Sequence, residues 1–481
     1  MRNLRTVLLA LTIGLLVSGN TLPGFAGARN PNHPAHEEAP HGPIYLPLVV
    51  KPDRITARIH APFFDGKIAA AQTAVVWFGR VNLVENYADV SFAYNAQELY
   101  ARVQIFDRYL WYDRNPTPEN LTAWDATSLY LDLDGSQGDS LTAKTYRFDG
   151  QLVWWEERDN HQAAFQGSAT GWQLSSIPFI TESNWKGNAP NDMNGDRGWR
   201  IIFRIPFSSL GLSGAPSAGT VWGLGVTVHD RDDVEGTPRA PKTWPQDLDP
   251  ARSATWSRLS FGLPTHTPPQ ANPGGTVTIR HKLNGAQVVD AMVGGSSVCG
   301  SKFDFWTEWG DGNYPGSDFL NVQNQSDISD WPCFSKFFLT MPLNSLPAGK
   351  AILSAKLTLH QMGNAGGGKW GPSPDSLIQV FTVAQDWDEA TLTWNNAPPP
   401  LENVSQAWVK PIAEWPGWPG VPWTWDLTRA VAEAYAAGKP LRLAFYSTDT
   451  DYNSGKYFVS SDTGDWNAAG RPTLEVLWGE P

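Results

Sequence analysis

The sequence predicts an all-β protein built as two tandem β-sandwich domains joined by a Pro-rich linker. Three observations predict it. Both halves of the chain are made of short segments of alternating apolar and polar residues, divided by Gly, Pro, Asn and Asp clusters, which is the pattern of half-buried strands. A stretch without any period, Pro264-Thr-His-Thr-Pro-Pro-Gln-Ala-Asn-Pro-Gly-Gly275, separates the two regions. Finally, 481 residues exceed what one ordinary core accommodates.

Taken in order, residues 1–28 carry Arg2 and Arg5, an apolar run from Val7 to Val17 and the small residues Ala26-Gly27-Ala28, the pattern of a secretory signal peptide. The apolar run is too short for a stable membrane span, and nothing later approaches about 18–20 consecutive apolar residues, so no membrane insertion is expected once the signal is cleaved. Residues 29–52 are rich in Pro and His and form a predicted linker; His33, His36 and His41 beside Glu37 and Glu38 are read as solvated, because a floppy tail loses chain entropy on closing around an ion. Strands are predicted in the first domain, residues 53–264, at 89–94, 99–106, 128–133, 152–156, 200–205 and 221–228. Residues 265–275 are the second linker. In the second domain, residues 276–481, strands are predicted at 276–281, 334–341, 355–360, 378–383, 441–446 and 473–478. A helix is predicted over 428–437, with Ala430, Val431, Ala434 and Tyr435 on one apolar face and Gly438 as its stop. The two cysteines, Cys299 and Cys333, are expected to form a disulfide in an oxidising compartment, two separate buried thiols being the alternative.

Charge and motifs narrow the function. A net charge of -12 repels polyphosphate and anionic lipid, so nucleic acid is an unsuitable partner. His-Glu-x-x-His, Gly-x-Ser-x-Gly and a partnered cysteine are all missing from the sequence. Carboxylates such as Glu156, Glu157, Glu308 and Asp311 are left to turns or surface, although a glycosidase pair can be assembled from distant strands. Gly363-Asn-Ala-Gly-Gly-Gly368-Lys369 imitates a phosphate loop but continues into Trp370 and Gly-Pro-Ser-Pro, with no helix to receive a phosphate.

Four segments in order carry a resemblance in the first region: Leu99-Tyr-Ala-Arg-Val103, Trp124-Asp125 before Leu129-Tyr-Leu-Asp-Leu-Asp-Gly135, Trp199 to Phe207, and Trp222 to Asp232. They make residues 54–262 similar to the family-nine carbohydrate-binding modules and DOMON-like domains. In the second region the segments are Asp318-Phe-Leu-Asn-Val322, Lys336-Phe-Phe-Leu339, Ala355-Lys-Leu-Thr-Leu359, Trp387 to Pro398, Trp425-Asp-Leu-Thr428 and Arg471-Pro-Thr-Leu474. Residues 276–478 thereby resemble the DNRLRE domain, also classed as the family-ninety-six carbohydrate-binding module, with Thr-Trp-Asn-Asn-Ala-Pro the sharpest signature. The resemblance implies jelly-roll-like sandwiches that in related proteins accompany polysaccharide-degrading domains or sit on cell surfaces.

Tryptophan is the compositional outlier, with 24 residues. A sugar ring lays its C–H face on a flat, rigid aromatic, so loop tryptophans are candidate platforms, whereas Trp222, Trp387, Trp394 and Trp478 fall in strand patterns and are assigned to the core. The carbohydrate-binding candidates are Trp111, Trp185, Trp244, Trp306, Trp309, Trp370, Trp415 and Trp418, each with loop packing as its alternative. Asp192, Asn194 and Asp196, and likewise Asp449, Asp451 and Asn453, space oxygen donors at alternate positions as a calcium loop does, but lack its closing glutamate and correctly placed glycine. Calcium is the only cofactor suggested; Asx turns explain the same spacing. The expectation is a secreted, extracellular, non-catalytic protein that binds a polysaccharide or a cell-surface glycan, with cell-surface attachment left open. The alternatives are a structural or adhesive surface protein and a polysaccharide-degrading enzyme.

Overall fold

The strands form where the apolar alternation is cleanest. In Glu98–Phe106 the side chains Leu99, Ala101, Val103 and Ile105 all point into the core, and in Gly198–Pro206 the residues Trp199, Ile201, Phe203 and Ile205 do the same. The two pair antiparallel, with Val103 opposite Ile201 and Ala101 opposite Phe203, so their apolar faces coincide. The computed structural model describes residues 56–154, 161–295, 304–324, 333–367, 371–451 and 453–480. The predicted signal peptide and first linker, Glu156, Glu157, Cys299 and Trp370 lie outside the described residues; Cys333 is buried.

The architecture is all-β. A five-stranded sheet, in the order Ala74–Gly79, Tyr87–Tyr94, Glu98–Phe106, Gly198–Pro206 and Ile180–Lys186, packs on Arg58–Ala61, Ser257–Phe261, Val221–His229, Ala126–Asp132, Thr145–Gln151, Gln162–Ser168 and Gly171–Ser175. Leu129, Phe148, Leu224 and Val226 from one layer share a core with Val90, Val103, Ile201 and Phe203 from the other. The second sandwich places Val289–Gly294, Ser335–Met341, Leu441–Ser447, Ser376–Val383 and Pro400–Val409 against a six-stranded sheet containing Asn272–Arg280, Thr473–Glu480, Ala351–Asn364, Lys456–Val459 and Phe319–Val322, with Val421–Asp426 beside Ala351–Asn364. Phe337 and Phe445 stack at 4.4 Å in its core, and Trp425 meets Phe445 edge-on. The α-helix runs Thr428–Ala436; Asp426 Oδ1 accepts hydrogen bonds from Thr428 N at 2.9 Å and Thr428 Oγ1 at 2.6 Å, and Gly438 ends it at φ +64°.

Eleven of the twelve predicted strands coincide with observed ones to within a few residues. The twelfth, 152–156, is displaced: the strand is Thr145–Gln151, and Leu152–Trp154 are not extended ladder residues. The aromatic run Trp154-Trp155 mimicked a strand, whereas Thr145–Gln151 is disguised by Arg147, Asp149 and Gly150. Residues 272–275 of the predicted linker belong to the strand Asn272–Arg280, which bulges between Pro273 and Gly275 as it pairs with Thr473–Glu480. Gly274 is needed there, because a Cβ would lie 2.1 Å from the Trp478 ring.

Residues Asp53–Pro481 cluster as one unit, and the two sandwiches share one continuous sheet. Arg58–Ala61 pairs in parallel with both Ser257–Phe261 and Pro400–Val409, meeting the latter at Arg58 opposite Glu402. Asn403 clasps the His60 backbone, accepting its N–H at 2.8 Å and donating to its carbonyl at 3.1 Å. Deeper in, Lys336 of the second sandwich donates to the Tyr87 hydroxyl at 2.9 Å and sits 3.8 Å from the Trp394 ring centroid and 4.7 Å from that of Trp77. Asp89 accepts from Tyr87 and Tyr446, both at 2.8 Å, and from Asn324 at 3.2 Å. Burial drives the Lys336 pKa well below its ordinary value and raises that of Asp89, the attraction between the two opposing both shifts.

Candidate functional site

Two features stand out as functional chemistry, one acidic and one aromatic. The acidic one joins the layers of the first sandwich. Asp107 follows the strand Glu98–Phe106 of one sheet, while Asp125 precedes Ala126–Asp132 and Asp230 follows Val221–His229 in the other. Ala126 and His229 are paired neighbours, so strand register brings Asp125 and Asp230 to the same end, where Asp107 meets them. One carboxylate oxygen from each lies within 4.8 Å of the others, and all three residues are buried.

Three buried carboxyl groups this close cannot all stay ionised unless a cation neutralises them. Burial, then the charges of Asp125 and Asp230, push Asp107 well above the ordinary carboxylate range; burial, then Asp230, does the same to Asp125. Asp230 is raised to about 7 by burial and by Asp232. Backbone N–H groups of Trp111 and Arg231 hold Asp125 at 2.7 and 2.8 Å, but Asp107 Oδ2 and Asp230 Oδ1 are buried without a hydrogen-bond partner among the described residues. Oxygens within 4.8 Å of one another can share an ion at the usual calcium–oxygen distance of about 2.3–2.6 Å, and an all-carboxylate donor set suits a hard cation. The residues present therefore fit calcium.

The aromatic feature lies on loops of the second sandwich. Trp415, Trp418 and Trp466 are 47%, 49% and 68% exposed. Their rings form an edge-to-face chain, with centroids 5.1 Å apart for Trp415 and Trp418 and 4.9 Å for Trp418 and Trp466. The supporting loops are tethered. Ile412 N donates to Asn364 Oδ1 at 2.8 Å, and Gly420 lies so close to the Gln361 carbonyl that a Cβ there would stand 2.5 Å from it. Beneath Trp466, the buried Arg471 donates to the Thr463 carbonyl at 2.9 and 2.6 Å and to Asp465 at 2.6 Å. Anchored, exposed rings of this kind lose little conformational entropy on meeting a ligand.

The other predicted tryptophans are distributed differently. Trp111, Trp244, Trp306 and Trp309 are buried to 9% exposure or less and pack in the interior instead of standing in solvent; Trp309, for example, lies 4.8 Å from Trp394. Their loops fold back onto the sandwich, which loop position alone does not reveal. Trp185 is half-buried on the edge strand Ile180–Lys186 and pairs with the exposed Trp154 at 4.8 Å. Trp222 and Trp394 are core residues as expected, and Trp387 and Trp478 are partly buried against the core.

Of the predicted calcium loops, Asn194 N donates to Asp192 Oδ1 at 2.7 Å in an Asx turn, while Asp196 is buried and raised to about 7 by burial and Asp192. Asp449 is buried beside a cation of the protein's own: the Lys456 ammonium donates to the Pro374 carbonyl at 2.7 Å and Ser376 Oγ at 3.0 Å, and its charge opposes the burial that raises Asp449 to about 6. Asp451 is exposed, and Asn453 adopts φ +56° in the adjoining turn. The aspartates that do converge were present in the sequence as strand-end residues, but only pairing between strands distant in sequence shows that they meet.

No curated protein matches the chain. Among solved structures, the chain is similar to a family-nine carbohydrate-binding module from Caldicellulosiruptor kristjanssonii in complex with cellotriose, at 16% identity and a TM-score of 0.31, over 43% of this chain and 93% of that one. It is similar also to such a module from the same organism in complex with glucose, at 16% identity and a TM-score of 0.30, over 44% of this chain and 100% of that one. Residues 306–476 match carbohydrate-binding module family 96.

Proposed function

We propose that the protein is a secreted, non-catalytic polysaccharide-binding protein whose second sandwich engages glycan on the Trp415, Trp418 and Trp466 platform. The observation that carries this reading is the placement of three exposed indoles, chained edge to face on tethered loops, inside the segment that matches a carbohydrate-binding family. Sugar C–H faces stack on such rings through apolar burial, and neighbouring hydroxyls remain hydrated or hydrogen-bonded at the rim. Trp154 and Trp185 offer a smaller second contact on the first sandwich; two weak contacts on one chain strengthen the hold on a polymer by raising local concentration.

Calcium at Asp107, Asp125 and Asp230 has a structural role in this proposal: it neutralises three buried carboxylates and ties the two sheets of the first sandwich together at one end. The test of binding is retardation in gels cast with cellulose derivatives, xylans, β-glucans, mannans or algal polysaccharides. Retardation of the wild-type chain that is lost in Trp415→Ala/Trp418→Ala/Trp466→Ala supports the platform. Equal mobility on every polymer moves the reading to a structural or adhesive role, and release of reducing ends or unsaturated products moves it to an enzyme.

A further inference from the structure

We infer that the junction of the two sandwiches is itself a binding site: a cleft of about 1050 Å³ that accepts an uncharged oligosaccharide and exists only when both halves are present. This rests on the carbohydrate-binding reading but places a second site away from the tryptophan platform.

The cleft is larger than the other cavities described, which measure about 360 and 570 Å³, and it exceeds the range of about 300–1,000 Å³ usual for small-molecule sites. One wall comes from the first sandwich, with Arg80, Glu85, Lys242 and Gln246; the other comes from the second, with Gln385 and Asn395. The walls are held before any ligand arrives. Asn395 accepts the Val81 N–H at 2.7 Å and donates to the Val81 carbonyl at 3.0 Å, bridging the halves, while its own N–H donates to Gly310 O at 3.0 Å. The Thr-Trp-Asn-Asn signature of the second sandwich thus acts as a clasp on the first, and a clasped cleft needs little reorganisation to bind.

The chemistry of the lining selects the ligand. Its charged residues are two cations, Arg80 and Lys242, and two carboxylates, Glu85 and Asp247, which cancel within a chain of net charge -12. Glu85 accepts from Lys242 and, at 3.0 Å, from Asn82, and lies 3.8 Å from Arg80. An anionic chain gains no net attraction in such a site and is repelled by the protein as a whole. The neutral amides Gln246 and Gln385 project from opposite walls and are exposed. Trp77 and Trp394 also line the cleft; both are 2% exposed, and the Nε1–H of each is buried without an acceptor among the described residues. Those two N–H groups have no exposed surface, so it is the wall amides that meet a ligand, each offering a donor and an acceptor to hydroxyl groups. A ligand rich in hydroxyls, free of charge and long enough to occupy the cleft is an oligosaccharide.

The test titrates the full chain calorimetrically with the neutral hexasaccharides of cellulose, xylan, laminarin and mannan. Four proteins are compared, the first three being wild type, Trp415→Ala/Trp418→Ala/Trp466→Ala, and Gln246→Trp/Gln385→Trp, which fills the cleft from two exposed positions. Circular dichroism confirms each fold, and Gln246→Ala/Gln385→Ala provides a smaller change at the same places. The inference expects at least one hexasaccharide to bind the platform variant, and that binding to fall at least tenfold in the cleft-filled protein and measurably in the alanine pair. Hexasaccharide binding that survives filling of the cleft but disappears with the platform overturns the cleft and leaves the carbohydrate reading intact. Silence of the wild type towards every hexasaccharide overturns the cleft, and if the polymer gels are silent too, the carbohydrate reading falls with it.

Discussion

At the scale of single residues, buried charge is where this molecule is most easily perturbed. Asp107, Asp125 and Asp230 have folded-state pKa values raised above those of the unfolded chain. An acid shifted this way stabilises the fold fully below its unfolded pKa and loses that contribution as pH rises through the folded value. Metal-free protein is therefore expected to lose melting temperature between about pH 4 and pH 7, as Asp230 ionises. Calcium is expected to raise the melting temperature more at pH 8 than at pH 5, with about 2.7 kcal/mol gained at a concentration a hundred times its Kd. Asp107→Asn separates the two effects: the amide keeps the acceptor used by Tyr109 N at 3.2 Å and removes one charge. That variant should be more stable than wild type without metal at pH 8 and should respond little to calcium. A calcium response equal to wild type would place the ion elsewhere. Lys336 is the second sensitive residue, because Lys336→Ala leaves Asp89 buried without its compensating cation; a loss of about 3–5 kcal/mol in chemical denaturation is expected, against a small change for an exposed control such as Lys439→Ala.

At the scale of elements, the loops carrying Trp415, Trp418 and Trp466 behave as a single surface, since each ring touches the next. Removing the central ring, Trp418→Ala, should weaken polymer binding more than Trp415→Ala or Trp466→Ala, with a tenfold loss corresponding to about 1.4 kcal/mol; affinity electrophoresis measures the order. The helix Thr428–Ala436 depends on Asp426 at its start, and Asp426→Ala should cost about 1 kcal/mol in urea unfolding by leaving the Thr428 N–H without its partner. Much of the element structure was legible in the sequence. Strands with strict alternation, such as Gly198–Pro206, declare themselves. Pro400–Val409 does not, because it is half-buried along most of its length and carries the polar residues Glu402, Asn403, Ser405 and Gln406, so its composition resembles a loop.

For the whole molecule, the shared sheet, the Asn403 clasp on His60 and the Lys336–Asp89 cluster lead us to expect one cooperative unfolding transition for residues 53–481 rather than two. Scanning calorimetry that resolves two independent transitions would show the halves to be autonomous. Each half made alone would expose part of a common core, since Trp77, Tyr87 and Phe106 of the first sandwich pack with Phe334 and Trp394 of the second. Fluorescence is a convenient second readout. The buried indoles Trp199, Trp244, Trp256, Trp309, Trp394 and Trp425 should emit to the blue and resist acrylamide, and the more readily quenched, red-shifted component should fall in Trp415→Ala/Trp418→Ala/Trp466→Ala.

What the sequence determined by itself is local: strand periodicity, the helix with its glycine stop, the segments that carry the family resemblance, and the loop placement of two of the three exposed tryptophans that meet in the second sandwich. These are legible because alternation, capping and loop composition are properties of consecutive residues. Tertiary structure alone decided the rest. Trp466 joins Trp415 and Trp418 because loops some fifty residues apart in sequence fold side by side, and Asp107, Asp125 and Asp230 converge because strand pairing brings three strand ends together across two sheets. The burial of Trp244 and Trp309 and the clasp made by Asn395 were settled in the same way. Contact between residues far apart along the chain depends on the register of strands and the packing of layers, and no local pattern encodes it.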